Sequence, residues 1–369
     1  MIRTVAAFFK KEPVFVLAVL AALVSCFFVP PDAAYAGYMD FRTLSLLYSL
    51  MAVVAGLREA GAFTHLAHVV CVRAKSTRVM AMLLAALSFF SAMLITNDVA
   101  LLTFVPFSAV LLGMTGRRRD LILIVAVQTA AANLGSMLTP VGNPQNLYLY
   151  SRYGLTAGDF FRITAPVWGL SLVLVLLLCL LIPRAGVNVF FGEEPGMDKK
   201  KLWLHLALFA VCLLSVLRLL PWPVMLLIVA AALFFFDRKR LLAADFLLLG
   251  TFAAFFIFAG NLARLEAVDE LLRRLLRGRE YLTALIASQI ISNLPAALLL
   301  SGFTDNVRGL LLGVDLGGLG TPIASLASLI SLKIYARTEN AHVGRYLLVF
   351  TAVNVFLLAV LSAAYAVLS

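Results

Sequence analysis

Four short polar stretches interrupt an otherwise strongly apolar sequence: Thr96-Asn97-Asp98, the run from Thr139 to Asn146, Ser292-Asn293-Leu294, and the run from Thr321 to Ser325. Their functional groups are hydroxyls, carboxamides and one carboxylate, which ligate ions and solutes rather than attack them. Pro140, Pro144 and Pro322 lie in these stretches, with Gly142 among them, and Pro295 directly follows the third. Proline removes a main-chain N–H and glycine relaxes the backbone, so a helix passing through is interrupted and leaves carbonyls and amides unpaired. In hydrocarbon such orphans are tolerable only where the break lines a cavity or binds an ion. The C-terminal end of a half-helix then suits a cation such as Na+, and the N-terminal end an anion.

Each feature alone has a plainer reading. A TP or GNP step is an ordinary kink in a transmembrane helix, and a lone Asn97 or Asn293 is glue between helices. Asp98 stands apart, because a carboxylate within a bilayer costs at least about 2.5–3.5 kcal/mol and is functional by default. It binds Na+, carries a coupled proton, or caps a half-helix. Asp305 and Asp315 are placed near the outer mouth, and Lys333 and Arg337 at the membrane edge. Other chemistries find no support. Cys26, Cys71, Cys179 and Cys212 are scattered through apolar segments and read as packing residues. There is no GxxxxGK[ST] pattern, and His65, His68, His205 and His342 form no HExxH grouping.

The elements that must position these residues are membrane helices. The 369 residues are 63% hydrophobic and 13% charged, and mean hydropathy is +1.00. Apolar runs near 13–30, 42–58, 119–153, 158–182, 201–219, 221–236, 242–262, 306–333 and 345–368 read as crossings. The first run resembles a signal peptide but is longer than the usual h-region, so a retained span is expected. Segments 78–114 and 281–304 carry polar clusters at their middles and read as re-entrant helical hairpins; the alternative is a single span followed by a polar break. The net charge of +11 sits in short connections, which fits topology rather than nucleic acid. With the N-terminus cytoplasmic, most lysines and arginines fall on the cytoplasmic side. Arg264, Arg273, Arg274, Arg277 and Arg279 do not; they lie on an amphipathic segment with Leu265, Val268, Leu272 and Leu275 at helical spacing, expected to run along the interface.

The polar stretches come in pairs. Leu134, Gly135, Thr139, Pro140 and Val141 align with Leu316, Gly317, Thr321, Pro322 and Ile323 at a shift of 182, and Asn97 aligns with Asn293 at a shift of 196. An odd number of crossings between the hairpins makes the two halves inverted, the arrangement that marks a secondary-transporter site near the midplane. The expected fold is an all-α polytopic membrane protein with two inverted-topology repeats, each holding a re-entrant hairpin and a discontinuous transmembrane helix. The first repeat covers 1–182 (hairpin about 78–114, broken helix about 119–153), a connecting loop and linking helix cover 183–220, and the second repeat covers 221–369 (hairpin about 281–304, broken helix about 306–333).

At TNDVALLTFVP, TPVGNPQN, SNLPAALLLSGF and GVDLGGLGTPIASLASL the chain resembles the ion transporter superfamily, which groups divalent anion–sodium symporters, citrate transporters, arsenite permeases and certain sodium/proton antiporters. The resemblance implies a scaffold domain, an elevator-like transport domain and a homodimer. It also implies Thr96, Asn97, Ser292 and Asn293 as substrate or ion ligands, with Gly142, Asn143, Asn146, Thr321, Ala324 and Ser325 as loop positions. Na+ is expected at Asn97, Asp98 and Asn143, and at Asn293 and Ser325. Both third tip positions depart from the Ser-Asn-Thr pattern of the dicarboxylate branch: Leu294 cannot hydrogen-bond a carboxylate, and ionised Asp98 repels one. The expected function is secondary transport of a small anion or oxyanion in the cytoplasmic membrane, coupled to Na+ or H+, with no cofactor. Arsenite efflux and sodium/proton antiport are the near alternatives; the channel subunit of an ATP-driven pump is the alternative from another class. An enzyme is not expected.

Overall fold

The computed structural model describes residues 12–72, 74–114, 117–186 and 196–368. Among them the secondary structure is helical, with one isolated bridge between Ser76 and Gly186. The first half contains α1 (Pro13–Phe28), α2 (Ala34–Tyr38), α3 (Phe41–Glu59), α4 (Ala62–Cys71), α5 (Thr77–Ile95), α6 (Asn97–Met114), α7 (Leu121–Ser136), α8 (Pro144–Arg152) and α9 (Ala157–Leu178). The second contains α10 (Lys199–Val216), α11 (Trp222–Phe236), α12 (Phe246–Leu262), α13 (Glu266–Leu276), α14 (Glu280–Ile291), α15 (Asn293–Leu300), α16 (Val307–Gly317), α17 (Leu326–Ala336) and α18 (Val343–Leu368). Five helices among the described residues are long and apolar enough to cross a membrane: α3, α5, α6, α9 with the turn after it, and α18. Phe27, Leu227, Phe235 and Leu348 stand largely exposed, as side chains facing lipid do, while Gln128, Asn133, Ser136 and Asn146 are buried.

Residues 77–114 form a hairpin whose direction follows from its contacts with α7. Going up α5, Ser88 accepts from Gln128 Nε2 at 3.2 Å, and Met93 O accepts from Thr139 Oγ1 just beyond the end of α7. Coming back along α6, Asn97 meets Asn133 and Ser108 donates to Gln128 Oε1 at 2.8 Å. One arm is thus parallel to α7 and the other antiparallel, so both hairpin ends lie at the Leu121 end of α7. Its arms, of 19 and 18 residues, are longer than those of the second hairpin, of 12 and 8.

The second hairpin repeats the arrangement against α16. Glu280 accepts from Asn306 Nδ2 at 3.2 Å, and Gln289 Nε2 donates to Gly317 O at 2.7 Å, so α14 and α16 run in parallel. Its exit, at Ser301 and Thr304, is bonded to Tyr148 at 2.8 Å and to Tyr153 at 2.8 Å, at the far end of the first broken helix. The two hairpins therefore enter from opposite faces. The base of the first meets the end of the second broken helix in turn, through the ion pair of Arg118 with Glu339.

The remaining helices frame these units. Asp40 and Asp245 N-cap α3 and α12, accepting from Thr43 N and Leu248 N at 2.9 Å each. α1 packs along α12, where Asn261 Nδ2 reaches Ser25 Oγ at 3.0 Å. α13 turns by 102° from α12, as a helix leaving the membrane normal for the interface must.

Close packing of α5 on α7 needs Gly135, where an added Cβ would lie 2.0 Å from Phe89 O. Alanine gains about 1 kcal/mol of helix propensity, but forcing two backbones apart costs about 1–3 kcal/mol or more. Gly135→Ala is expected to lower the thermal unfolding midpoint in detergent, while Gly169→Ala in α9, with nothing within 4 Å of its Cβ, leaves it unchanged or raises it. Equal responses would contradict the packing.

Candidate functional site: two helix breaks joined across the repeats

Both hairpin tips adopt one conformation. Thr96 has φ 72 and ψ 150, and Ser292 has φ 73 and ψ 153, a region that is almost exclusive to glycine and costs about 1–3 kcal/mol elsewhere. The residue that follows is handled identically: Asn97 Oδ1 accepts from Asp98 N at 3.0 Å, and Asn293 Oδ1 from Leu294 N at 2.9 Å. Asparagine, not Asp98, thus receives a free amide at the helix start. The break expected at Pro295 falls instead at Ser292. Pro295 sits in the first turn of α15, where the missing N–H has no intrahelical partner to lose.

Each tip docks on the break of its own repeat. Asn97 N donates to Gly142 O at 3.2 Å, and Ser292 Oγ donates to Ala324 O at 3.3 Å. Positions 142 and 324 are equivalent at the shift of 182. Beyond the first break Asn143 caps α8, accepting from Asn146 N at 2.9 Å, with Pro144 at the first helical position. Pro140 lies within the first break, and Pro322 opens a short 3-10 turn in the second. Ser325 occupies the matching cap position but sends its hydroxyl elsewhere.

That hydroxyl joins the two halves. Ser325 Oγ donates to Asn133 Oδ1 at 3.1 Å, which also accepts from Asn97 Nδ2 at 2.9 Å. The Asn133 amide lies 3.4 Å from Gly318 O and 3.3 Å from Ser328 Oγ. The reciprocal contact runs from Asn143 Nδ2 to Asp315 Oδ1 at 3.5 Å. Positions 133 and 315 are equivalent, as are 143 and 325, so one pair of contacts is made twice, once in each direction. Asn133 was not among the expected site residues, and Asp315, expected near the outer mouth, is 3% exposed beside the first break. The repeat alignment extended by one residue would have paired Asn133 with Asp315; nothing in the sequence indicates that each bonds to the opposite half.

Side chains already occupy many of the carbonyls freed by the breaks. Trp168 Nε1 donates to Gly135 O at 3.2 Å and Thr164 Oγ1 to Leu138 O at 3.4 Å. Gln289 serves the second break, donating to Gly317 O at 2.7 Å and Leu319 O at 3.0 Å while accepting from Thr321 N at 3.1 Å. Trp168 and Gln289 carry no motif that would have singled them out. Thr321 itself is exposed.

Thr96, Asp98 and Asn143 share a cavity of about 270 Å³ that reaches Arg58 and Asp245. Asn97, Asn146, Ser292, Asn293, Ala324 and Ser325 are buried around it and in the second break. Asn293 lies against the second break, its Nδ2 2.9 Å from where a Cβ of Gly318 would stand. Asp98 also borders a neighbouring cavity of about 410 Å³ with Asp245 and Lys333. The arrangement offers hydroxyl, carboxamide and carboxylate ligands beside two helix ends, without a nucleophile–base pair.

Known proteins resemble this chain in family and in fold. Residues 4–308 match the citrate transporter (CitMHS) family, a match that stops ahead of the second break. The chain is 32% identical over 327 residues to the inner membrane protein YbiR of Escherichia coli, covering 87% of each. It is 30% identical over 330 residues to an uncharacterized transporter of Methanocaldococcus jannaschii, covering 88% of this chain and 89% of that one. A silicon efflux transporter of Oryza sativa subsp. japonica, LSI3, is 29% identical over 158 residues, 41% of this chain and 31% of that one. Among solved structures the YdaH transporter of Alcanivorax borkumensis has the same fold, with a TM-score of 0.59 at 17% identity over 91% of this chain and 87% of that one.

The junction between halves predicts energetic coupling. Asn133→Ala leaves the Ser325 hydroxyl and the Asn97 amide buried without their shared acceptor, at about 1–3 kcal/mol each. In a double-mutant cycle on thermal or denaturant stability, Asn133→Ala and Ser325→Ala should couple by about 1 kcal/mol. Asn133→Ala and the distant Thr338→Ala should add. Additivity in both cycles would remove the junction.

Proposed function

The chain belongs to the citrate transporter family, and from that premise we propose that it is a secondary active transporter of a small anion, a citrate-like carboxylate or an oxyanion, driven by a Na+ or H+ gradient. It is a multi-pass membrane transporter; the substrate class, coupling ion and movement are the content of the proposal. The observation that carries it is the joining of the two helix breaks through Asn133 and Asp315, with a hairpin tip docked on each break. Inverted units with broken helices at mid-membrane are the architecture of alternating access. In this reading Thr96, Asn97, Ser292 and Asn293 face the solute. Na+ is held at Asn97, Asp98 and Asn143 and at Asn293 and Ser325, and the hairpins with the broken helices move as an elevator against a scaffold that includes α3 and α12. The protein acts in the cytoplasmic membrane with its N-terminus inside, as a homodimer.

A second reading, sodium/proton antiport, is favoured by the two carboxylates of Asp98 and Asp245 bordering the same cavities. A carboxylate in a membrane cavity is suited to exchanging a proton for Na+. The two readings part on whether an organic or inorganic anion moves.

Purified protein in proteoliposomes should accumulate at least one of citrate, succinate, sulfate or arsenite only when a Na+ or H+ gradient is imposed. Asp98→Asn should alter the dependence of that flux on Na+ or pH. Absence of flux for all four, with dequenching of a pH dye on Na+ addition, would replace anion transport by antiport.

A further inference from the structure

Positive charge on the outer side runs against the bias that orients membrane proteins, so arginines kept there call for a local reason. Most have one. Arg264 pairs with Asp32 at 2.8 Å and Arg273 with Asp269 at 2.8 Å. Arg42, at the start of α3, and Arg152, at the end of α8, have no acidic partner within salt-bridge distance among the described residues. Arg42 makes one long contact, from its guanidinium to Ser215 O at 3.4 Å. Both line one cavity of about 440 Å³ with Asp40, Ser151, Tyr148 and Gly302. Its one carboxylate, Asp40, accepts from Thr43 N at 2.9 Å and Thr43 Oγ1 at 2.5 Å and forms no ion pair with either arginine, so it offsets one of their charges only.

A third arginine stands behind them. Arg218 lies over the Tyr150 ring at 5.7 Å, is within electrostatic reach of Arg42, and is held at φ 64, a left-handed conformation unusual for a side chain of its size. Three guanidinium groups against the single carboxylate of Asp40, which is itself within electrostatic reach of Arg42, leave a net positive field.

The position of the cavity gives that field a use. It lies where α3 and α12 face α8 and the base of the second hairpin, so it is the outer counterpart of the cavity that holds Asp98. Leu147 borders the inner space and Tyr148 the outer one, and Tyr148 packs on Phe252 and Phe256 with ring centroids 6.3 and 5.6 Å away. An aromatic cluster thus separates the two.

We propose that the outer cavity is a capture site for the transported anion, in which Arg42 and Arg152 bind a carboxylate or another oxyanion through charge-assisted hydrogen bonds. The assignment rests on the anion-transport reading and adds to it a second, outer station. Guanidinium groups fork onto planar oxyanions, and the field raises the local anion concentration before passage.

The same chemistry would hold a lipid phosphate, so the test separates the two sources. Purified full-length protein in detergent is titrated with citrate, with inorganic phosphate, and with phosphatidylglycerol micelles, and its Tm is followed. Citrate or phosphate should raise the Tm of the unaltered protein. The Arg42→Gln/Arg152→Gln double variant should need about tenfold more anion for the same rise, the loss of one good ionic contact. Arg162→Gln, an exposed arginine on α9, should behave as the unaltered protein. Arg152→Gln alone, at an exposed helix end, repeats the test with less risk to folding and should show a smaller shift in the same direction. In proteoliposomes the variants should raise KM for citrate with little change in maximal rate. No Tm rise with either anion, an equal rise in the variants, or stabilisation by phosphatidylglycerol alone would overturn the capture site. Arginine-dependent stabilisation without citrate flux would instead sink the transport reading and leave the site.

Discussion

Main chain released from a helix inside hydrocarbon has to be paired, because there is no water to take it. That constraint organises this molecule. α7–α8 and α16–α17 are each interrupted, and the groups set free are taken up by three sources. The tip of the hairpin in the same repeat supplies Asn97 and Ser292, a packed side chain supplies Trp168 or Gln289, and the opposite repeat supplies Asn133, whose amide reaches Gly318 O. The breaks are therefore joints in the protein's own bonding before they are ligand sites. A solute or ion has to compete for, or slot beside, hydrogen bonds that already exist.

Strain and coupling meet at the same places. Thr96 and Ser292 hold backbone angles that glycine would adopt freely, and each does so one residue before the asparagine that docks on a break. Such conformations persist only where surrounding contacts over-determine them. Here the supporting contacts come partly from the other half of the chain, through Asn133 for the first tip. Displacing one hairpin tip thus disturbs a bond to the opposite repeat, which gives the two halves a physical means of influencing each other without a dedicated relay.

Much of this was legible in the sequence, for identifiable reasons. Helices with polar clusters at their centres, and proline-glycine interruptions repeated at a fixed shift, are local signals, and the hairpins and breaks fell where those signals lie. The expectation of inversion came from counting spans. Three features were hidden. Nothing local marks Thr96 or Ser292 as positive-φ positions, because both residue types are ordinary at a helix end. Asn133 and Asp315 sit inside helical stretches, and their role depends on contacts across more than 170 residues of chain. Pro295 reads as a breaker in sequence yet lies in a first turn, because its position relative to the helix start is set one residue at a time and is below the resolution of hydropathy.

The central claim is that the two hairpins enter from opposite faces so that their tips meet the two breaks between them. Single cysteines placed at Arg78 and Arg118, beside the first hairpin base, and at Glu280 and Thr304, beside the second, report it most directly once Cys26, Cys71, Cys179 and Cys212 are replaced. With a membrane-impermeant thiol reagent on sealed vesicles of known orientation, the first two positions should label from one side only and the last two from the other side only. Labelling of all four from the same side would contradict the account.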